Sequence, residues 1–153
     1  MTPNERLAEL GIELPAPFPP AGMYVPAVRT GDLLFLSGSG PARSDGTFVV
    51  GKVGRDLDLD GAREAARLTG VQILSVLRTE LGSLAAVNRV VKVLGMVNCA
   101  PGFNRTPQVI DGCSELLIAV FGEAGRGARS AVGMAELPFD ISVEIEVVVE
   151  IKG

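Results

Sequence analysis

The chain ends with the stretch GARSAVGMAELPFDISVEIEVVVEIKG (Gly127–Gly153), whose pattern decides how the fold closes. A run of mainly small residues, Arg129–Glu136, is followed by a Leu-Pro turn and then by Ile141–Ile151, in which Glu alternates with Val or Ile. Alternation with a period of two is typical of a β-strand with one buried face. The stretch therefore predicts a closing β-hairpin with Arg129 at the start of its first strand.

The predicted pairing of this hairpin brings charged residues onto one face. Pairing around Leu137–Asp140 places Arg129, Ala131 and Gly133 on the same face as Glu144, with Glu144 about opposite Gly133. Arg129 then lies ~13 Å further along the strand. Direct ion pairing is not expected at that distance, but both side chains can reach a shared pocket. A carboxylate in such a pocket can orient or deprotonate a water molecule.

Arg129 is the strongest candidate for binding an anion. It follows a glycine-rich loop, and its neighbours in the strand are small or apolar, which predicts a buried strand. The planar guanidinium can hold a carboxylate through two parallel hydrogen bonds, which lysine cannot do. The alternative is a surface arginine paired with a glutamate. The residues alone leave the two interpretations about equally favoured.

Outward from this stretch, the sequence predicts a single α+β domain over residues 1–153. A helix begins at a capping box formed by Thr2 and Glu5, and a proline-rich arm completes residues 1–22. Two long helices are predicted, each ended by a glycine, at Asp60–Leu81 and Gln108–Phe121. The predicted strands before the hairpin are Tyr24–Arg29, Leu33–Ser37, Thr47–Val53 and Arg89–Val97.

These elements favour a mainly antiparallel, six-stranded sheet with the two long helices on one face. The other face needs cover, and packing between identical subunits is the natural candidate. The mean hydropathy of +0.35 is high for a soluble monomer and favours the same interpretation.

Composition excludes several classes of function. Of the 153 residues, 47% are hydrophobic and 21% are charged, which is typical of a globular chain. A net charge of −4 without a basic run argues against nucleic acid as a partner. No segment is apolar for long enough to span a membrane and no signal-peptide pattern is present, so a cytoplasmic location and no membrane partner are expected.

The chain contains no histidine, which excludes Ser-His-Asp and Cys-His catalysis. A zinc site would need two cysteines together with carboxylates, an uncommon ligand set, and no metal is expected. Cys99 and Cys113 lie in no motif and are expected to be reduced, partly buried thiols.

Further site candidates lie in a glycine-rich loop and on two other elements. The loop SGSGP (Ser37–Pro41) matches neither a P-loop nor a dinucleotide fingerprint, but Ser37, Gly38 and Ser39 can line a pocket. The only tyrosine, Tyr24, is interpreted from the residues alone as a core or interface aromatic. Asp111 is interpreted as a first-turn acid favoured by the helix dipole.

Two blocks of the sequence resemble the YjgF/RidA family, also known as the L-PSP endoribonuclease family. RSAVGMAELPFDISVEIEVVVEI resembles the family's closing signature, R-[S/A]-x-V-x-V-x-x-L-P followed by a V/I-E-I/V-E strand. GMYVPAVRTGDLLFLSGSGP resembles its N-terminal block, and the order of elements also matches. The resemblance implies a chorismate-mutase-like fold, a homotrimer and ligand sites in clefts between subunits.

The same resemblance implies an activity, the hydrolysis of reactive 2-imino or 2-enamino acids to 2-keto acids and ammonia, with no metal or organic cofactor. Arg129 would hold the carboxylate of the small ligand and Glu144 would position or activate water. Tyr24 would close the cleft, which Ser37 and Gly38 would line.

Three positions depart from the family pattern. Ser39 stands where glutamine is usual, Ala131 where many deaminase members have cysteine, and Asp111 where asparagine is frequent. Carboxylate binding is still expected, but the substrate and rate of deamination stay open. One alternative is a trimer that binds small carboxylates or keto acids without catalysis. Another is an endoribonuclease or translation inhibitor, which the net charge disfavours.

Overall fold

Three helices begin and end close to the residues that the sequence signals indicate. The computed structural model describes residues 1–153. Its helices are α1 (Pro3–Glu9), α2 (Leu59–Leu81) and α3 (Thr106–Phe121). Thr2 and Glu5 form the predicted capping box, and the Asp58 carboxylate caps α2 by accepting from the Gly61 N–H at 2.8 Å. Gly82 ends α2 in the left-handed conformation, with φ at 79°. None of the helices combines the length and hydropathy that crossing a bilayer requires.

The sheet contains five strands and is mainly antiparallel. They are β1 (Ala27–Thr30), β2 (Leu33–Leu36), β3 (Val87–Asn98), β4 (Ala128–Met134) and β5 (Val143–Ile151). Their spatial order is β1-β2-β5-β3-β4, and only the β3–β4 pair is parallel. Three short 3₁₀ turns occur at Leu84–Ala86, Gly122–Gly125 and Pro138–Asp140. The α+β class is as predicted.

The closing hairpin predicted from the sequence is wrong, because β3 lies between β4 and β5. Residue Arg129 pairs with Val93 in the parallel ladder, whereas Glu144 pairs with Met96 in the antiparallel one. Strand β3, helix α3 and strand β4 follow one another along the chain as a crossover unit, in which the two strands are parallel. The connection from β4 to β5 then passes around the end of β3, so β5 adds to the other edge of that strand.

The sixth predicted strand, Thr47–Val53, is also absent from the sheet. This segment makes only isolated bridges, such as Val50 with Ile141 and Val53 with Cys99. Gly51 interrupts it with φ at 110°, a conformation that no β-strand adopts. The segment therefore runs past the end of the sheet as an irregular connection.

Helices α2 and α3 cover one face of the sheet and enclose a core of 28 buried apolar residues. Every second residue of β5 points into this core, from Val143 to Ile151. Close approach is possible because Gly95 lies under Ile110 and Gly112 lies over the carbonyl of Arg63. Cys113 lies in the same core, and burial raises the pKa of its thiol to about 12. Cys99 and Cys113 are free thiols, as predicted.

The opposite face of the sheet carries Glu144 and Glu146 together with apolar side chains. Val28, Phe35 and Val132 are exposed on this face or its edges. Large exposed apolar side chains are common at surfaces that meet a partner.

Candidate functional site

A cavity of about 880 Å³ lies beside the N-terminal end of β5. Its walls come from the proline-rich arm, the loop that follows β2, the 3₁₀ turn before β5 and part of α2. Five of the predicted site residues line it: Tyr24, Ser37, Gly38, Ser39 and Glu144. The structure therefore brings together residues that are widely separated in sequence.

Glu144 supplies the carboxylate of this cavity. The side chain is half-buried and lies directly against the backbone of Gly38, so closely that a Cβ there would collide with its carboxylate. Burial raises the pKa of Glu144, and the neighbouring charge of Glu146 raises it further. A carboxylate with a raised pKa is a stronger base than an ordinary glutamate once it has lost its proton.

The loop that contacts Glu144 is held by hydrogen bonds to the backbone. Ser39 exchanges two of them with Ile145, at 2.9 and 3.0 Å, which fixes the loop against β5. The Ser37 hydroxyl donates to the carbonyl of Val25 at 2.7 Å, so this side chain supports the loop. The Tyr24 hydroxyl accepts from the N–H of Ala21 at 3.0 Å and orients the ring at the cavity.

Arg129 lies elsewhere, against α3. Its Nη1 donates to the Asp111 carboxylate at 2.7 Å and to the Ser114 hydroxyl at 3.2 Å, and its Nη2 donates to the Pro107 carbonyl at 3.4 Å. Since guanidinium carries five N–H groups, the Nε–H and one Nη2–H remain for a ligand. The side chain is 25% exposed, so part of it remains open to solvent.

Ser114 is a site residue that was not predicted from the sequence. It follows Asp111 by three positions on α3, and residues at that spacing share one face of a helix. The spacing was therefore visible, but nothing in the sequence indicated that Arg129 packs on this helix. The ion pair with Asp111 matches in part the alternative prediction that Arg129 is a surface arginine paired with an acidic residue, with an aspartate in place of the glutamate.

The predicted common face of Arg129 and Glu144 is wrong. Ala131 and Gly95 are paired on the face that α3 covers, and Arg129 shares that face. Glu144 belongs to the other face, two strands away, which separates the two Cα atoms by roughly 14 Å. The predicted residues thus form two groups: the cavity group containing Glu144, and Arg129 with Asp111 and Ala131 at the edge strand.

Aromatic side chains that no sequence pattern indicated form much of the remaining cavity wall. The rings of Phe18 and Phe48 contact each other at 5.0 Å between centroids. Phe139 lies in the turn before β5 and also lines the cavity. No group of three or more acidic or cysteine side chains in the chain is arranged to hold a metal ion.

Comparisons with known proteins place these features in a family. A profile of the YjgF/chorismate mutase-like endoribonuclease family matches residues 4–150. Protein TCP17 of Trypanosoma cruzi is 42% identical over 148 residues, which cover 96% of this chain and 92% of TCP17. The crystal structure of Atu1372 from Agrobacterium tumefaciens, of unknown function, is 45% identical with a TM-score of 0.89, covering 98% of this chain and 92% of its own. A Shewanella oneidensis structure, described as a candidate endoribonuclease, is 28% identical with a TM-score of 0.95. The match covers 99% of this chain and 100% of the Shewanella chain.

Proposed function

Because the chain belongs to the YjgF/RidA family, we propose that it hydrolyses reactive 2-imino and 2-enamino acids to 2-keto acids and ammonia. The reaction would occur in a cleft between two copies of the chain. The observation that carries this proposal is the half-buried Glu144 carboxylate, which lies in an 880 Å³ cavity and has a raised pKa.

The chemistry asks for a base and for a grip on the substrate carboxylate. Glu144 takes a proton from water while the water oxygen attacks C2 of the imine, and the imine nitrogen takes up a proton. The resulting carbinolamine carries a hydroxyl and an amino group on C2. Protonation of the amino group lets ammonia leave, and loss of the hydroxyl proton gives the 2-keto acid. Each proton transfer lies within the capacity of one positioned carboxylate and solvent.

Arg129 is the proposed anchor for the substrate carboxylate. Its Nε–H and one Nη2–H make no bond within the chain, and an Nε–H with an Nη2–H on one edge of a guanidinium has the geometry that binds a carboxylate bidentately. Asp111, Ser114 and Pro107 hold the other donors, so the guanidinium is already oriented before a ligand arrives.

A second copy of the chain is part of this proposal. Arg129 and Glu144 of one chain lie on opposite faces of the sheet, so a single chain cannot direct both at one small molecule. Packing the exposed sheet face of one copy beside the β4 edge of another would bring Arg129 to the Glu144 cavity. A homotrimer satisfies this arrangement three times with identical contacts. Sedimentation at micromolar concentration is expected to give the mass of three chains.

The enzymatic proposal is tested by following imine loss. An amino-acid oxidase generates 2-iminobutyrate, and its disappearance is recorded with and without the protein. Glu144→Gln is expected to lower kcat by about 10²–10⁴-fold, the usual effect of losing a general base. Arg129→Ala is expected to lower kcat/KM by about 10–100-fold, because a charge-assisted contact is lost.

Arg126→Ala is the matched control for the arginine variant. Arg126 is exposed and pairs with Glu123 only three residues away, so its loss should leave the rate unchanged. If wild type and Arg129→Ala hydrolyse the imine equally, the proposed role of Arg129 is wrong.

Two observations favour a second candidate, a trimer that binds keto acids without turnover. The Asp111 carboxylate, 2.7 Å from Arg129, already neutralises part of the guanidinium, and Ala131 brings no thiol near it. This candidate predicts keto-acid binding that Arg129→Ala abolishes, with no hydrolysis of any imine. Calorimetric titration with 2-ketobutyrate alongside the imine assay separates the two functions.

A further inference from the structure

The cavity is larger and more apolar than the reacting end of an imino acid requires. Its 880 Å³ falls near the upper end of the range for pockets that enclose drug-sized ligands. Glu144 lies against Gly38, whereas Phe48 and Ile141 lie against Gly40, further along the same loop. With Phe18, Val50 and Phe139, which also line the cavity, Phe48 and Ile141 form its apolar wall.

Phe139 is the most unusual member of the apolar wall. It is 81% exposed, although burying a large apolar side chain lowers the free energy of the folded protein. Its backbone is left-handed, with φ at 58° and ψ at 22°, and Asp140 follows with φ at 58°. A residue with a Cβ adopts this region only at a cost in free energy.

Hydrogen bonds around the buried Asn98 hold this strained turn in place. The Asn98 amide, which is fully buried, donates to the Asp140 carboxylate at 3.0 Å. The Asp140 carbonyl accepts from the Gly51 N–H at 2.8 Å, and the Lys52 ammonium donates to the Asn98 amide oxygen at 2.8 Å. The turn is thus fixed by polar contacts on its inner side, while the Phe139 ring itself packs little and faces the cavity.

Persistent strain at an exposed aromatic residue is typical of a position kept for a ligand. Phe18 and Phe48 face the same space from the arm and from the irregular segment after β2, with their rings tilted by 51°. Three aromatic rings around one space bind flat or branched apolar groups well, because such groups can stack or meet ring edges.

We infer that the apolar wall receives the side chain of the substrate, and that the substrate is a 2-imino acid with an aromatic or long branched side chain. The identity of the reacting group rests on the proposed function. The apolar selectivity rests on the wall itself, with Phe139 as a specificity-determining residue. The carboxylate and imine lie towards Glu144, and the side chain lies towards Phe18 and Phe139.

The kinetic test compares imines that differ only in the side chain. An amino-acid oxidase supplies the imines of phenylalanine, leucine and alanine, and kcat/KM is measured for each. We expect the phenylalanine imine to exceed the alanine imine by at least about tenfold, as a filled apolar pocket gives. Phe139→Ala should reduce this ratio about tenfold, whereas Phe103→Ala, a phenylalanine outside the cavity, should leave it unchanged.

Direct binding separates this inference from the proposed function. Phenylpyruvate and pyruvate are titrated calorimetrically into wild type and Phe139→Ala. If no imine is hydrolysed but phenylpyruvate still binds at least tenfold more tightly, and Phe139→Ala removes the difference, the deaminase proposal fails and the apolar site stands.

Two outcomes overturn the inference. One is equal or weaker binding and turnover of the bulky compounds relative to the small ones. The other is that the Phe139→Ala assembly dissociates in sedimentation while the fraction that stays assembled keeps the wild-type selectivity. Phe139 would then be a subunit contact and not a ligand contact.

Discussion

Arg129 and Glu144 lie on opposite faces of one sheet, with strand β3 between their strands. Any small molecule that contacts both residues must therefore contact two chains. This relationship makes the assembly a chemical requirement of the proposed reaction, and it can be tested without knowing the natural substrate.

Mixed assemblies of two inactive variants should recover activity. Arg129→Ala retains Glu144, and Glu144→Gln retains Arg129, so a site between the two kinds of chain can be complete. In a cyclic trimer that contains both variants, one site in about three has both residues, and tandem purification removes the trimers that contain only one variant. Co-expression with two different affinity tags, tandem purification and the imine assay measure the recovery.

The matched control mixes Arg129→Ala with the double variant Arg129→Ala/Glu144→Gln. That mixture contains no intact arginine and should stay inactive. If the mixture of single variants is equally inactive while sedimenting as one assembly, the site does not lie between chains as proposed.

The pH dependence of the rate should report the environment of Glu144. Burial and the charge of Glu146 raise the pKa of Glu144 above its ordinary value of 4.5. Glu144 acts as a base only when it has lost its proton. The midpoint of the acidic limb of the kcat/KM profile should therefore lie above pH 4.5. Glu146→Gln removes one cause of the raised pKa and should move that limb to lower pH.

The control for this shift is Glu150→Gln, further along the same strand. An acidic limb that moves equally in Glu146→Gln and Glu150→Gln would mean that general surface charge, and not the neighbour of Glu144, sets the profile. No movement in either variant would assign the limb to the substrate.

Glu144 should also lower the stability of the fold at neutral pH. A carboxyl group whose pKa is raised by folding binds its proton more tightly in the folded chain than in the unfolded chain. Its contribution to stability is therefore present at low pH and is lost as the pH rises through the raised value. Glu144→Gln removes the charge and nearly keeps the shape of the side chain. The Tm of this variant should therefore exceed the Tm of wild type at pH 7.

The gain in Tm should shrink at pH 4, where wild-type Glu144 carries its proton for more of the time. Thermal unfolding at the two pH values gives the comparison. A gain that is the same or larger at pH 4 contradicts the argument. Stability that rises when activity is lost is the pattern expected where a charged group is held in place for catalysis.

How much of the structure the sequence could predict depends on the range of the signals. The capping box of Thr2 and Glu5 and the stop at Gly82 act within a few residues, and the helices follow them closely. Strand pairing is a long-range choice. The alternation in β5 is the same whether that strand pairs with β4 or with β3, so the local pattern favoured the simple hairpin and missed the crossover through α3.

The candidate site divides in the same way. Glu144 and the loop containing Gly38 were predicted from the residues as pocket-lining, and the family resemblance implied the same role; they do meet in one cavity. Their separation from Arg129 follows from the order of strands, which no local pattern encodes. Phe139 gave no signal, because its backbone conformation depends on the buried Asn98 and on Gly51, both distant in sequence.

Asn98 should be important for the stability of the turn before β5. Its side chain is fully buried and bonds to Asp140, to the Ile141 carbonyl at 3.2 Å and to Lys52. Asn98→Ala removes all three bonds and leaves the buried Ile141 carbonyl without its side-chain donor, so the free energy of unfolding should fall by about 2–4 kcal/mol. Urea denaturation measures the change.

Asn88→Ala is the matched control for this prediction. Asn88 is exposed and bonds to the exposed end of Glu150, so its loss should change the free energy of unfolding by less than about 0.5 kcal/mol. Similar losses in the two asparagine variants would show that the network around Asp140 contributes little.

The crossing of α2 and α3 should tolerate no side chain at Gly112. A Cβ at this position would overlap the backbone carbonyl of Arg63, and a backbone atom can move only if the helix moves with it. Gly112→Ala should therefore separate the helices and lower the free energy of unfolding by about 1–3 kcal/mol, despite the better helix propensity of alanine. Gly61→Ala is the control, because a Cβ there meets no backbone atom, and its nearest neighbour, the Asp58 carboxylate oxygen at 3.1 Å, needs to shift by only a few tenths of an ångström. Urea unfolding of both variants decides the matter. If Gly112→Ala is as stable as Gly61→Ala, the two helices can shift at little cost in free energy. Asp111 and Ser114, which hold Arg129, lie on one of these helices. Arg129 would then be less fixed than a preorganised carboxylate site requires.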